Sequence, residues 1–298
     1  MKPSPKPAPD TTDFLLLISL SALFGASFMF THLAVAEIPP LSLSASRVFL
    51  ALLILFPLML KNGERLPAPG HIWLPAIASA VFGYALPFAL VSWGQLRVPA
   101  SLAAIFMAIM PLATIVLAHF YTDDEKLNAW KLAGVMCGLA GVIVLFGIDA
   151  LRDLGGPNAL AQIAILAAAV CYAINAPITR SLVGTPRLPM LTLLMLIGSA
   201  IMLPASLYFE APLTLNPSWQ ALGALLVLAI GPTATATLMI LVIINRQGAS
   251  FLSQINFIVP LFGVSIGWLA LGERLEPSAW LALLVVLVGV ALSRRGSR

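Results

Sequence analysis

Long apolar stretches recur along this chain, separated by short groups of Pro, Gly and charged residues. A helix that crosses a bilayer needs about 20 mostly apolar residues. Backbone groups inside lipid must be satisfied within the segment, so each stretch is predicted to be helical. The pattern predicts an all-α integral membrane protein with ten transmembrane helices, at residues 13–36, 41–60, 72–96, 99–121, 128–148, 158–182, 188–209, 219–245, 248–271 and 277–293.

Composition supports the membrane class. The 298 residues are 60% hydrophobic and 9% charged, whereas soluble proteins carry about 25% charged residues. Residues 1–12 are polar and Pro-rich, which predicts a disordered tail. The apolar segment after them is too long for a signal-peptide core. Cys137 and Cys171 lie in apolar runs without metal-ligand spacing, so we expect no metal and no cofactor. The basic residues are scattered between the apolar segments, so we expect no nucleic-acid partner.

The basic residues predict an orientation. Of the 16 Lys and Arg, twelve fall on the side that holds the N-terminus. The other four are Arg47, Arg97, Arg152 and Arg274. Positive residues concentrate on the cytoplasmic side of membrane proteins. We therefore expect both termini in the cytoplasm and a multi-pass protein of the plasma membrane, which is the inner membrane in a bacterium.

The chain repeats itself. Residues 97–111 read RVPASLAAIFMAIMP and residues 246–260 read RQGASFLSQINFIVP. Other pairs recur at nearly the same offset, among them Thr31 and Thr179, Trp73 and Trp219, and Glu125-Lys126-Leu127 and Glu273-Arg274-Leu275. This predicts two five-helix repeats, at 13–148 and 158–293. Because five is odd, the second repeat would enter the membrane from the opposite side, and such inverted repeats are typical of secondary transporters.

Ten spans in two inverted repeats, with Ala-Ser, a mid-helix Pro and Glu-[Lys/Arg]-Leu recurring in each, resemble the EamA family of the drug/metabolite transporter superfamily. The chain is also similar in size and character to the bacterial aromatic and general amino-acid exporters of that family. The resemblance covers nearly the whole sequence and is unspecific for substrate. It implies a basket-shaped bundle with a central cavity, in which spans five and ten pack at one side.

Two prolines are candidate hinges. Pro111 and Pro260 fall near the middle of the fourth and ninth spans. A proline inside a helix frees the carbonyl four residues earlier, here those of Met107 and Asn256. Freed carbonyls in a membrane need a partner or a wet cavity. We expect a hinge and a polar lining there; a fixed kink is the alternative.

Gln254 and Asn256 are costly in lipid without partners. Two positions apart, they point about 200° from each other, so both cannot face one cavity squarely. Gln254 shares a polar stripe with Ser250, Ser253 and Phe257. Gln254 is therefore the first candidate for the substrate path, with Ser253 beside it. Asn256 is the second, and an interhelical hydrogen bond is its alternative role.

Further candidates for the substrate path are polar or aromatic residues within spans. Tyr172 and Asn175 share a face of the sixth span, and Thr235 lies in a Thr-rich part of the eighth. Aromatic rings could stack on a substrate; an anchor at the membrane interface is the alternative for Trp93. The aromatic candidates are Phe28, Tyr84, Trp93 and Tyr172.

No carboxylate falls at mid-bilayer, and Arg47 is placed near the start of the second span, so no mid-membrane Lys or Arg is expected either. A proton pump usually needs a carboxylate in the membrane interior. A transporter of phosphate-bearing substrates would need a Lys or Arg there. A neutral or zwitterionic solute fits better.

His119 is the titratable group inside a span, where a structural hydrogen bond or a proton relay is possible. No hydrolase or phosphate-loop motif occurs, so we expect no enzyme.

Three hypotheses follow. The first is a facilitative transporter that exports amino acids or similar small zwitterionic metabolites by alternating access. The second is a proton-coupled drug or metabolite antiporter of the same superfamily, using His119 or a carboxylate at a span end. The third is a scaffold or sensor in the membrane that transports nothing. The partners would be a small-molecule substrate and the lipid bilayer; the oligomeric state is open.

Overall fold

The computed structural model describes residues 9–121, 127–152, 156–182 and 184–295, and within them it contains helices and no strand. Glu125 and Lys126 of the predicted repeat, residues 1–8 of the predicted tail and the side chain of Ser250 lie outside this description. In chain order the helices are α1 Thr11–Val35, α2 Pro40–Lys61, α3 Trp73–Gly94, α4 Ala100–Met107, α5 Met110–Tyr121, α6 Ala129–Arg152, α7 Pro157–Ser181, α8 Arg187–Phe209, α9 Trp219–Arg246, α10 Ala249–Leu252, α11 Ile255–Leu271 and α12 Pro277–Arg295.

Every predicted span coincides with a helical segment, but not all are equally long. Seven segments of the described chain are long and apolar enough to cross a membrane, counting α4 and α5 together. The other three predicted spans contain shorter apolar helical stretches, Ala129–Leu145, Ile255–Leu271 and Pro277–Ser293. Seven crossings are thus supported by length, and a total of ten stays a prediction.

The first helix begins at Thr11, two residues before the predicted start of the first span. Asp10 caps it: its carboxylate accepts from the backbone N–H of Asp13 at 2.9 Å, and the Asp13 carboxylate accepts from the N–H of Asp10 at 3.1 Å. This reciprocal pair satisfies two of the N–H groups that a helix start leaves without partners.

Glycines let several helices approach closely. A Cβ at Gly134 of α6 would lie 2.5 Å from the Gly289 carbonyl oxygen of α12, and one at Gly25 of α1 would lie 2.8 Å from the Gly263 nitrogen of α11. Real Cβ atoms do not come this close to backbone. Gly134 and Gly25 therefore allow close contacts between helices of one chain, as small residues do in membranes.

Helix interruptions occur near both prolines proposed as hinges, but they are not placed alike. In the first half of the chain, α4 ends at Met107 and α5 begins at Met110, so Pro111 lies in the first turn of a new helix. There its missing N–H loses no helical hydrogen bond. In the second half the break falls between Leu252 and Ile255, and α11 continues through Pro260.

Two π-helical turns occupy corresponding places in the two halves, Val81–Ala85 in α3 and Ala229–Thr235 in α9. Their starts differ by 148 residues, the offset of the sequence repeat. Pro232 lies inside the second turn, and Pro87 follows just after the first. Isolated π-helical turns are rare and frequently mark functional sites.

Candidate functional site

A cavity of about 370 Å³ lies between the two halves. Helices α1 to α5 of the first half (residues 9–152) and α7, α9 and α11 of the second half (residues 156–295) line it. Its size is in the usual range for small-molecule sites, roughly 300–1,000 Å³. Both π-helical turns contribute to the wall, through Gly83 and Tyr84 on one side and Pro232 and Thr233 on the other.

The cavity gathers many of the residues proposed from the sequence for the substrate path and the hinges. Those that line it are Phe28, Tyr84, Met107, Pro111, Tyr172, Asn175, Asn256 and Pro260. Four others are not part of its wall. They are Trp93, Thr235, Ser253 and Gln254. The side chains of Trp93 and Thr235 are exposed on the outside of the bundle, and Gln254 lies at the break before α11. The role of each in transport stays a prediction.

Arg47 corrects one expectation. The sequence predicts this cation near the start of the second span and predicts no Lys or Arg in the membrane interior. In the structure Arg47 is the eighth residue of α2, about 10 Å along the helix from Pro40 at 1.5 Å per residue. It is 8% exposed and lines the cavity. Counting residues from the start of the helix would have shown that Arg47 lies about two turns inside the span. The depth of the cavity, however, did not follow from the sequence.

Thr233 holds Arg47 in place. Pro232 belongs to the π-helical turn of α9, where the helix ladder is interrupted, and the Leu228 carbonyl accepts a hydrogen bond from the Thr233 hydroxyl at 2.7 Å. The same hydroxyl oxygen accepts from Nε of Arg47 at 2.6 Å. The π-helical turn therefore orients a threonine that fixes the cation.

Aromatic rings support the same guanidinium. Its Cζ lies 3.9 Å from the centroid of the Phe88 ring, which is close enough for a cation–π interaction. Phe88 makes an edge-to-face contact with Tyr84, with centroids 5.8 Å apart. Phe24 and Phe28 add further aromatic surface to the cavity. With Thr233 and Phe88 on two sides, the remaining guanidinium N–H groups are available to a ligand.

No carboxylate neutralises Arg47 within the described part of the chain. Asp and Glu side chains are absent from the described cavity wall, and the carboxylates of Asp10 and Asp13 pair with Arg246 instead. A buried charge is costly unless it is paired. The cavity thus presents a positive group with a place for an anion.

Asn175 lines the same cavity and carries an unpaired acceptor. Its Oδ1 is buried and has no hydrogen-bond partner among the described residues. Its amide nitrogen abuts Gly83, where a Cβ would lie 2.5 Å from Nδ2. The glycine therefore leaves room for the amide in the wall.

Carboxylates tie the two halves together at one end of the bundle, here called the Glu37 end. Glu37 accepts from the N–H and the hydroxyl of Ser218 at 2.6 and 2.7 Å. Glu210 accepts from the N–H and the hydroxyl of Ser42 at 2.6 and 2.7 Å. Glu273 accepts from the N–H groups of Ala100 and Ser101 at 2.8 and 2.9 Å. Each carboxylate lies at a helix N-terminus of the other half, where negative charge is stabilising.

The opposite end, here called the Asp13 end, has its own link between the halves. Asp13 accepts from Nε of Arg246 and from Nε2 of Gln247, both at 2.5 Å. His119, proposed as a proton relay, is not in the cavity wall. Its Nδ1 accepts from the backbone N–H of Leu127 at 3.2 Å, which is the structural role given as its alternative.

Similar proteins are transporters by name. The chain is 24% identical to the "Uncharacterized transporter YoaV" of Bacillus subtilis strain 168, covering 93% of this chain and 94% of that protein. It is 26% identical to the "S-adenosylmethionine/S-adenosylhomocysteine transporter" of Chlamydia trachomatis serovar L2, covering 96% and 90%. It is 25% identical to the "Uncharacterized inner membrane transporter YedA" of Escherichia coli K12, covering 95% and 90%.

A solved crystal structure shares the fold, with a TM-score of 0.68, 20% identity and coverage of 97% of this chain and 99% of the other. The model of the EamA-like transporter family matches the sequence twice, at residues 12–147 and 159–295. The resemblance seen in the sequence is thereby confirmed, together with the two-repeat architecture. The chain is an integral, multi-pass membrane transporter and belongs to the EamA-like transporter family.

Proposed function

We propose that this transporter moves amino acids or similar small zwitterionic metabolites, binding their carboxylate at Arg47. The observation that carries the proposal is a buried guanidinium, without a carboxylate partner among the described residues, in a cavity between the two repeats. Guanidinium groups bind carboxylates through paired, charge-assisted hydrogen bonds. A substrate carboxylate would supply the charge that the described wall lacks.

The rest of the wall favours a small substrate with an apolar part. Aromatic and Met side chains surround the polar groups, which is the usual make-up of a small-molecule site. A zwitterion also suits the charge of the site. The positive charge of Arg47 in the wall attracts a substrate carboxylate and disfavours a substrate that carries only a positive charge. The name of the Chlamydia relative is compatible with this, because both compounds in that name carry an α-amino-acid group.

Alternating access would use the links at the two ends. At the Glu37 end three carboxylates bridge the repeats, and at the Asp13 end Asp13 bridges them to Arg246 and Gln247. Breaking one set while the other holds would open the cavity to one side at a time. The helices would bend at the interruption between α4 and α5, next to Pro111, and at the one between Leu252 and Ile255, ahead of Pro260. This is the exchange expected of inverted repeats.

For the orientation we retain what the charge pattern predicts, and for the direction what the resemblance to amino-acid exporters implies. Both termini would lie in the cytoplasm, which puts the Asp13 end inside and the Glu37 end outside. The direction would be export, and transport would be facilitative, since no described carboxylate lines the cavity to carry a proton.

The test is flux in liposomes that contain the purified protein. Vesicles are loaded with labelled amino acids, with and without a pH gradient. We expect downhill flux that ignores the gradient, whereas accumulation driven by the gradient would instead support the proton-coupled antiporter. Arg47→Gln should raise the apparent Km roughly tenfold or more, since a hydrogen bond to a charged group contributes about 1.5–3 kcal/mol.

Arg97→Gln is the matched control. The substitution removes the same charge as Arg47→Gln, but Arg97 is exposed in the loop between α3 and α4. It should leave flux unchanged. Equal effects of the two substitutions, or no flux of any amino acid, would reject the proposal.

A further inference from the structure

The second recognition element of the cavity is Asn175. Asn175 lines the same cavity as Arg47. Its Oδ1 is a buried acceptor without a partner among the described residues. A buried acceptor left unpaired is destabilising, so polar groups inside proteins nearly always have partners. A ligand that donates a hydrogen bond would satisfy it.

The position of Asn175 relative to Arg47 follows from a chain of contacts. The amide abuts Gly83, and the next residue, Tyr84, makes an edge-to-face contact with Phe88. Phe88 in turn lies against the Arg47 guanidinium. Arg47 and Asn175 therefore both belong to the part of the cavity wall that surrounds the Tyr84 and Phe88 pair.

We infer that Asn175 Oδ1 accepts a hydrogen bond from the α-ammonium group of the substrate and so selects amino acids over carboxylic acids that lack the amine. This rests on the proposed function, in which Arg47 binds the carboxylate. Without the amine, a carboxylic acid would satisfy Arg47 but leave Oδ1 unpaired. A site built to bind an N–H group discriminates against ligands that lack it.

Gly83 acts as the positioning residue for this acceptor. Any Cβ there would come within 2.5 Å of Nδ2 and within 3.0 Å of Cγ of Asn175, so the amide would have to leave its place. Gly83→Ala should therefore reproduce the loss of selectivity without altering Asn175 itself. Gly223→Ala is its matched control, since a Cβ at Gly223 in α9 meets nothing within 4 Å.

The experiment compares each amino acid with its own des-amino acid. The pairs are phenylalanine with 3-phenylpropionate, leucine with 4-methylpentanoate and methionine with 4-(methylthio)butanoate. Binding to the purified full chain is measured for the wild type, Asn175→Leu, Gly83→Ala, Gly223→Ala and Arg47→Gln. The readout is the ratio of the two dissociation constants within a pair, which a general loss of folded protein does not change.

We expect the wild type to prefer at least one amino acid to its des-amino acid. Asn175→Leu and Gly83→Ala should lower that preference about tenfold, while affinity for the des-amino acid stays within about twofold. Arg47→Gln should weaken both members of the pair. Retained des-amino acid binding in the Asn175 variant also shows that the variant is folded.

The outcomes separate this inference from the proposed function. Arg47-dependent binding of both compounds, with a ratio that neither Asn175→Leu nor Gly83→Ala changes, overturns the role of Asn175 and leaves the proposed function standing. Binding of neither member of any pair by the wild type overturns both.

Discussion

Nε of Arg47 in the first repeat donates a 2.6 Å hydrogen bond to the hydroxyl of Thr233 in the second. The group proposed to bind substrate is thus held by the half of the protein that lies across the cavity. Any movement of one repeat against the other changes this contact. If substrate binds at Arg47 as proposed, its binding and the relative position of the repeats are linked at this bond.

Thr233→Val tests that bond. Valine has nearly the same shape but can neither accept from Arg47 nor donate to the Leu228 carbonyl. We expect the apparent affinity for a carboxylate substrate to fall roughly three- to tenfold, since a hydrogen bond of this kind contributes about 0.5–1.5 kcal/mol. Thr233→Ser keeps the hydroxyl and should bind as the wild type does. Equal affinities for the Ser and Val variants would show that the hydroxyl does not position Arg47.

The two amides proposed from the sequence can now be distinguished. Asn256 lines the cavity, whereas Gln254 lies at the break before α11 and outside the cavity wall. We expect Asn256→Ala to raise the Km of flux several-fold and Gln254→Ala to raise it less. Both proteins are compared in the same liposome assay after matching the reconstituted amount. A larger effect of Gln254→Ala would restore the order of candidates that the sequence favoured.

Glu210 is expected to stabilise the contact between the repeats at the Glu37 end. Glu210→Gln removes the charge at the start of α2, and we expect a loss of about 1 kcal/mol, as for other anions at helix N-termini. Thermal unfolding in detergent measures it. A double-mutant cycle with Ser42→Ala isolates the pair, because the serine hydroxyl donates to the same carboxylate at 2.7 Å. Additive effects of the two substitutions would mean that the pair is not coupled.

Glu37 gives the contact at this end a pH dependence. The N–H and hydroxyl of Ser218 donate to its carboxylate and hold its pKa below the ordinary value for Glu. A carboxyl group whose pKa is lower in the folded state stabilises that state at pH values above its unfolded pKa. The stabilisation is lost as the pH falls through the lowered folded pKa.

The difference in unfolding temperature between the wild type and Glu37→Gln should accordingly be constant near neutral pH. It should disappear at acidic pH, below the usual titration range of Glu. A scan of unfolding temperature against pH measures it. A difference that persists at the acidic end would contradict the assignment, and Ser218→Ala should reduce the difference at neutral pH.

The contact between α6 and α12 depends on the absence of side chains. Gly134→Ala places a Cβ 2.5 Å from the Gly289 carbonyl oxygen, so the helices must separate. We expect destabilisation of about 1–3 kcal/mol, as for other overpacked positions. Gly223→Ala has open space around it and should be neutral or slightly stabilising, since Ala favours helix. Equal unfolding temperatures of the two variants would rule out close packing at Gly134.

Much of the fold could be predicted from local pattern. The apolar stretches gave the helices to within about two residues at most ends, because span length is set by bilayer thickness. The repeat at Thr31, Trp73 and their partners gave the two-repeat architecture and the family. The two prolines indicated an interruption in each copy of the repeated segment. Only the structure showed that one break lies just before Pro111, whereas the other lies between Leu252 and Ile255 and leaves α11 continuous through Pro260.

The face that each helix turns to the cavity could not be predicted with the same certainty. Thr235 was chosen from a run of three threonines, whereas Thr233 and Thr237 line the cavity. The π-helical turn at Ala229–Thr235 changes the rotational phase of α9, and that change is invisible to a count at 3.6 residues per turn. For the same reason the choice between Gln254 and Asn256 depended on a break whose position was unknown.

The sequence by itself determined the class, the spans, the repeat and the family, because hydrophobic length and internal similarity are properties of the linear chain. Only the tertiary structure decided that Arg47 lies in a cavity, that Thr233 holds it, and that Asn175 is left with an unpaired acceptor. Those facts depend on the depth and rotation of helices packed against each other. Packing across the two repeats sets both, and no single segment encodes it.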